Sequence, residues 1–321
     1  MIVFADDGRG GLMRKTLAVL VLAALLQSSG CRWFTRQENA PDPAAAKIFG
    51  PGETPTEKQL VDYVNERAKL VNTLKIKNVH IDVAENGKSQ PGVEAVLVCQ
   101  KQRDFRLQGK AAIGNVIDIG SNDKELWFWF KYMEPVGVYH CSYDDLDNGK
   151  VQRMPLPIRP EWVVQVMGIA EYNDDMSKYK VVPRRDGTLE LREQTISPQG
   201  QPTTRVTIFN PKPTAGKPLI CQHHLFDAKG KLVCWAEITE VQQDRGNPQI
   251  VLPTRLKMVW PEQKLEIKMM IDDGFKVNDP IDPSAREDLF TRRNLADLPS
   301  YDLAQGPDAP GGVQRAGATQ R

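Results

Sequence analysis

A mainly β domain built as an antiparallel meander is what this sequence predicts, and three observations predict it. Short runs of alternating apolar and polar residues recur with turn formers between them at about ten-residue spacing, as in sandwiches and barrels. The stretch Ile117–Tyr132, IDIGSNDKELWFWFKY, sets two apolar runs around Gly120-Ser121-Asn122-Asp123, which is how a β-hairpin is written. Few stretches carry helical patterning, and the two clearest lie near 56–72 and 156–169.

Thr56-Glu57-Lys58-Gln59 fits a capping box, and a helix follows to about Asn72 with Leu60, Val61, Val64, Ala68 and Val71 on one stripe. The pattern then changes to period two. Leu74 to Val83 reads as a strand with an irregularity near Asn78, turned at Asn86-Gly87. Strands follow at Val93–Cys99, Phe105–Ala111, the hairpin, and Val136–Tyr143. Asp144 to Gly149 glances at a calcium loop, but Leu146 stands at its third position and Pro155 at its twelfth, so it reads as a turn. The meander is interrupted at Leu156–Ile169, where Pro160 suits a helix first turn, Gly168 suits a C-terminal cap, and Trp162, Val163, Val166 and Met167 form a short apolar face. This is a plug helix of one to three turns. Strands resume at Tyr179–Val182, Thr188–Ile196, Thr203–Phe209, Pro218–Phe226, Lys231–Val241, Leu252–Val259 and Lys264–Ile271.

The second run of the hairpin, Trp127-Phe128-Trp129-Phe130, places its tryptophans on one face of the sheet and its phenylalanines on the other. Both faces need cover. The helices near Leu60–Val71 and Trp162–Met167 are the candidates, and an acyl chain is a third. An Asn122-Asp123 loop pairs Ile119 with Leu126 and Ile117 with Phe128, which groups the isoleucines with the phenylalanines and Asp118 with the tryptophans. A one-residue slip reverses the faces.

The start of the chain is an address. Met13–Cys31, MRKTLAVLVLAALLQSSGC, has the basic pair, short apolar run and small residues of a secretory signal. Met13 is its expected natural start. The apolar run is short of the about 20 residues that span a bilayer. Residues 1–30 read as a signal peptide, 31–55 as an N-terminal segment with a Pro/Ala-rich tether, 56–291 as one domain, and 292–321 as a disordered tail. The end of the signal, Ser28-Ser29-Gly30-Cys31, resembles a bacterial lipobox, with Ser28 where Leu is usual. That resemblance implies acylation of Cys31, which anchors a protein stably where a single acyl chain would not.

Composition excludes several classes. The 321 residues are 40% hydrophobic, and Lys+Arg 42 against Asp+Glu 41 leaves a net charge of +1, with no basic field for nucleic acid. His223 and His224 diverge as strand neighbours, and no ligand spacing for a metal occurs. His140 and Cys141 diverge in the same way, so they form no catalytic dyad. No GxSxG, phosphate loop or dinucleotide fingerprint is present, so neither an enzyme nor a cofactor is expected. Cys99, Cys141, Cys221 and Cys234 either pair as two disulfides or stand as buried thiols.

The signal ending in Gly-Cys, the helix at 56–72, the meander, the hairpin DIGSNDKELWFWF, the Pro-led helix PEWVVQVMGI and the second set of strands together resemble the bacterial lipoprotein carrier and receptor superfamily, the LolA/LolB-like proteins. The resemblance covers about Thr56–Asn278. It implies a curved, incomplete antiparallel β-barrel with helices packed in its concave mouth, enclosing an apolar cavity for acyl chains of lipids or lipoproteins. Trp127, Phe128, Trp129, Phe130, Trp162 and Met167 are the expected lining. A lipidated Cys31 suits an anchored protein of the cell envelope, at the outer membrane and facing the periplasm. The alternative is a non-enzymatic sensor or protein-interaction module that fills the same fold and meets an envelope protein partner.

Overall fold

The computed structural model describes residues 42, 44–50, 54–100, 103–112, 114–151, 154–155, 158–197, 201–293 and 298–305, all within the unit Asn39–Arg321. The signal sequence, Cys31 and the first part of the tether lie outside them.

Two helices come first, α1 (Ala45–Ile48) and α2 (Glu57–Lys69), and α2 opens on the expected capping box of Thr56 and Gln59. The strands β1 (Thr73–Glu85), β2 (Lys88–Ser89), β3 (Val93–Gln100), β4 (Asp104–Ala111), β5 (Gly114–Ser121), β6 (Glu125–Phe130) and β7 (Val138–Ser142) form the first half. Short helices α3 (Tyr143–Asp147) and α4 (Pro160–Val166) lead to β8 (Tyr179–Pro183), β9 (Leu189–Ile196), β10 (Pro202–Phe209), β11 (Ile220–Phe226), β12 (Leu232–Gln243), β13 (Val251–Trp260) and β14 (Leu265–Ile271). A short β15 (Lys276–Val277), helix α5 (Pro283–Leu289) and β16 (Ser300–Asp302) complete the described elements.

All these strands belong to one sheet, ordered β16-β7-β6-β5-β4-β3-β1-β14-β13-β12-β11-β10-β9-β8, with β2 and β15 also paired to β1. Every pairing is antiparallel except β16 with β7. The long strand β1 joins the two halves, meeting β3 on one side and β14 on the other, with a register shift between Ile76 and Val79 where the sequence reads an irregularity. The end strands β8 and β16 do not meet, so the sheet is open.

Alternation decides which face turns inward. In β14, Leu265, Ile267, Met269 and Ile271 are buried, while Lys268 between them is exposed. Registered pairs carry such a row across the first half: Ile76, Leu97, Leu107, Ile119, Phe128, Tyr139 and Tyr301. Another row runs through Leu191, Thr207, His223, Ala236, Met258, Ile267 and Val83. Phe128, Tyr139 and Ala236 are completely shielded, yet among the described residues the helices that bury side chains in their cluster are the five-residue α3 and the seven-residue α4. Two helices so short cannot cover so wide a face. The sheet must curl over its own apolar side, which makes it an incomplete barrel with a packed interior.

Three expectations give way. Asp144–Gly149 is not a plain turn: Tyr143–Asp147 is helical, because the Ser142 hydroxyl accepts the Asp145 amide at 3.0 Å and two acidic residues sit in the first turn. The tether is docked over its last part. Asp42 accepts from the Ala44 amide at 2.9 Å and from the Tyr63 hydroxyl at 2.7 Å and pairs with Arg67, while Phe49 packs on Phe209 with ring centroids 6.5 Å apart. The tail, too, is structured at 298–305, where β16 runs beside β7 and Tyr301 stacks on Tyr139 at 5.1 Å. The cysteines Cys99, Cys141, Cys221 and Cys234 are free thiols, and burial pushes Cys99 up to about 12.

The interior of the half-barrel as candidate functional site

The plug helix α4 is built from a few local rules. Pro160 occupies the first turn, where its missing N–H is no loss, and Gly168 takes φ +75, the left-handed conformation that ends the helix. The Gly168 amide donates to Gln165 O at 2.9 Å and the Ile169 amide to Val164 O at 3.2 Å, a two-bond C-terminal cap. Trp162, Val163, Val166 and Met167 are buried in the main core.

The hairpin settles the question of faces. Its pairs are Ile117 with Phe130, Ile119 with Phe128, Gly120 with Trp127 and Ser121 with Leu126. The loop is therefore 122–125 rather than Asn122-Asp123, because the Asn122 side chain accepts the amides of Lys124 and Glu125 and rounds a wider turn. A shift of two residues leaves the faces as expected: isoleucines with phenylalanines, Asp118 with tryptophans. Phe128 lies in the main core with Trp162 and Met167, with Phe130 packed against it.

Trp127 and Trp129 point to the opposite face, away from the interior. Trp127 is nevertheless 2% exposed. Its indole lies over Gly120, where an added Cβ would stand 2.2 Å from the ring, and the Arg106 guanidinium covers it at 5.2 Å from the ring centroid. Arg106 is itself held by Asp118 at 2.5 Å and by the carbonyls of Thr291 at 3.0 Å and Leu289 at 3.3 Å. The cover on this face is thus α5 and the segment after it, fastened by Arg286 on Asp104 and Arg292 on Glu125. Helix α2 is not the second cover. Leu60, Val61, Tyr63 and Val64 pack with Tyr179, Leu189, Leu191 and Phe209, at the other end of the sheet. Of the six expected lining residues, Phe128, Phe130, Trp162 and Met167 lie in or against the main core, and Trp127 and Trp129 do not.

Polar side chains missed by the sequence reading sit on the inner face of β9–β11. Glu193 is buried and receives Arg205 through Nη2 at 2.6 Å and Nε at 2.9 Å. Arg205 Nη1 donates to Gln165 Oε1 of α4 at 3.2 Å, Gln165 Nε2 reaches the Tyr172 hydroxyl at 3.4 Å, and that hydroxyl lies 2.6 Å from Thr207 Oγ1. Thr207 Oγ1 is 3.4 Å from His223 Nδ1. His223 is 2% exposed, its Nε2 has no hydrogen-bond partner among the described residues, and burial, with Arg205 nearby, pushes it down to about 3. The same loss of water raises Tyr172. The signal in the sequence was polar Thr207 and His223 within strand patterns. Alternation alone does not tell which face turns inward.

Beside this chain, between α2, the end of α4 and β11–β13, lies a cavity of about 50 Å³ lined by Val64, Val166, Ile220, His223, Ile238 and Pro253 among others. It has room for about three to five waters, against the ~300–1,000 Å³ of ligand pockets. An open groove of about 440 Å³ runs along Val182–Arg192, with Arg184 and Arg192 paired to Glu190. Its lining is dominated by charged side chains, Arg184, Arg185, Asp186, Glu190 and Arg192, which makes it no acyl site.

No protein-family model matches the chain, and no curated protein does. Several solved structures are distantly similar to the chain. A LolA superfamily protein from Nitrosomonas europaea is 14% identical, covering 74% of this chain and 99% of its own, at a TM-score of 0.45. A domain named for outer membrane lipoprotein sorting from Vibrio parahaemolyticus is 10% identical over 71% of this chain and 96% of its own, at 0.46. A DUF1329 family protein from Desulfovibrio piger is 11% identical over 72% and 98%, at 0.47. Likenesses this distant say nothing of ligand or partner.

Proposed function

We propose that this half-barrel binds the acyl chains of lipids or lipoproteins in the bacterial cell envelope, anchored through a lipidated Cys31, and serves their transport without catalysis. One observation supports the reading: the wide, largely apolar inner face is stoppered by a helix of seven residues whose buried face is mainly apolar, with Trp162, Val163 and Val166 beside the hydrogen-bonded Gln165. Replacing Trp162, Val166 and Met167 by an acyl chain exchanges one apolar occupant for another. The exchange leaves the buried apolar area nearly unchanged, so it has little hydrophobic cost. The tether and the envelope location belong to the same proposal.

A second reading is supported by the small size of the 50 Å³ cavity. A filled interior suits a sensor or protein-interaction module that meets an envelope protein. Uptake of a fluorescent fatty-acyl probe, with native mass spectrometry of the purified protein, separates the two. Under the first reading acyl chains are taken up, and Trp162→Ala, which vacates interior space, increases the amount bound. No uptake by either form, with an envelope protein recovered by crosslinking, leaves the second.

A further inference from the structure

The polar chain inside the half-barrel has a direction, and its charged end fixes that direction. An arginine can only donate, so Gln165 Oε1 must be the atom facing Arg205 Nη1 at 3.2 Å. The other end of the same amide, Nε2, then donates to the Tyr172 hydroxyl at 3.4 Å. Having accepted there, the tyrosine turns its own proton to Thr207 Oγ1 at 2.6 Å. Thr207 in turn offers its proton to His223 Nδ1 at 3.4 Å. A neutral imidazole that accepts at Nδ1 carries its proton on Nε2. The relay therefore ends in an N–H donor that finds no acceptor among the described residues.

That donor belongs to a residue lining the 50 Å³ cavity, whose other walls include Val166, Ile220, Ile238 and Pro253. Trp162 of the plug helix stands edge-on to the imidazole, with ring centroids 6.3 Å apart. A buried donor without a partner is costly, and a single well-placed acceptor removes the cost. The cavity is also bordered by Asp42, Tyr63, Arg67, Gln165 and Tyr172, but these are already engaged, Asp42 with Tyr63 and Arg67, and Gln165 with Arg205 and Tyr172. A mostly apolar surround with one open donor selects a ligand that is apolar along its length and carries one acceptor oxygen.

We infer that His223 Nε2–H is the polar anchor of the interior, donating to the ester carbonyl oxygen of an acyl chain that enters as α4 moves aside. The inference rests on the acyl-binding reading above and sharpens it: the site takes esterified acyl chains in preference to plain hydrocarbon. While the plug is seated, Arg205 and Gln165 act at a distance by setting the tautomer, so His223 meets the incoming carbonyl with its proton already on Nε2.

The test uses the full-length protein and two probes, methyl palmitate carrying a ¹³C carbonyl and an alkane of equal length. Each competes with a fluorescent acyl probe, while the carbonyl stretch is followed by infrared spectroscopy. A net hydrogen bond of this kind gives the ester an advantage of about 2- to 10-fold over the alkane. The expected result is that advantage with a lowered carbonyl frequency in the wild type, both kept in His223→Gln, whose amide still donates. Both are lost in His223→Phe, which still binds the two probes equally. Two bound probes with no preference and no carbonyl shift overturn the anchor and leave the acyl-binding reading standing. Failure of both probes to bind overturns that reading, and the anchor with it. Should His223→Phe fail to fold, long-range ¹H–¹⁵N correlation on the wild type reads the tautomer directly: a proton on Nε2 supports the relay, and a proton on Nδ1 refutes it.

Discussion

Acid acts on the interior through His223, and the size of the effect follows from its burial. In the folded protein the imidazole titrates at about 3, because desolvation is the largest influence and Arg205 and His224 add repulsion. In the unfolded chain it titrates near ~6.5. Between those values the unfolded chain holds the extra proton, so stability rises with pH and is lost on acidification. The contribution is complete above about pH 6.5 and gone below about pH 3, with a slope of about 1.4 kcal/mol per unit between. From neutral pH to pH 5 the loss amounts to about 2 kcal/mol. His223→Gln removes the titration and keeps the polar volume, so other groups, Glu193 included, cancel in the comparison. Urea unfolding of both proteins at pH 7.5, 6 and 5 measures it. The stability of the wild type relative to His223→Gln should fall by about 2 kcal/mol across that range. Parallel pH profiles would falsify the claim that His223 is held neutral by burial.

Four further outcomes follow from other parts of the molecule. Trp127→Ala should cost about 3–5 kcal/mol in chemical denaturation while acyl-probe uptake per folded molecule stays unchanged, since Trp127 faces α5 and not the interior. Gly120→Ala should cost about 1–3 kcal/mol through its clash with the indole, and much less in the Trp127→Ala background; equal costs in both would show the contact to be unimportant. Arg67→Ala strands the buried Asp42 carboxylate and should cost about 3–5 kcal/mol, with protease cleavage near residues 42–50 as the local readout. On the surface, the hydrogen bond that His80 Nδ1 donates to Glu94 at 2.6 Å and the nearby Asp82 raise His80. An NMR titration should place it above ~6.5, and Glu94→Gln should bring it down. Its stabilisation is present below the unfolded value and fades as pH rises through the folded one, the reverse of His223.

Local rules carried much of this protein in plain view. The capping box at Thr56, the irregularity near Asn78, the Pro160 and Gly168 ends of the plug and the alternation of the strands depend on neighbours in sequence, so they could be read there. The facing of Trp127 and Phe128 was legible for the same reason, since a two-residue error in the loop does not change sides. Helix α5 and strand β16 were not legible. Their order comes from Arg106, Asp104, Glu125 and Tyr139, partners more than 150 residues away that no local pattern reports.

The hairpin shows the division most clearly. By itself the sequence determined that Trp127–Phe130 needs cover on both faces, because period two sends large aromatics both ways. Only the tertiary structure decided which cover each face receives: the plug helix and curled sheet over the phenylalanines, the returning C-terminal segment over the tryptophans. Likewise, alternation made His223 and His224 diverge, but only the curl of the sheet turned His223 inward. Burial there removed its charge, and the relay from Arg205 left its N–H facing the apolar interior.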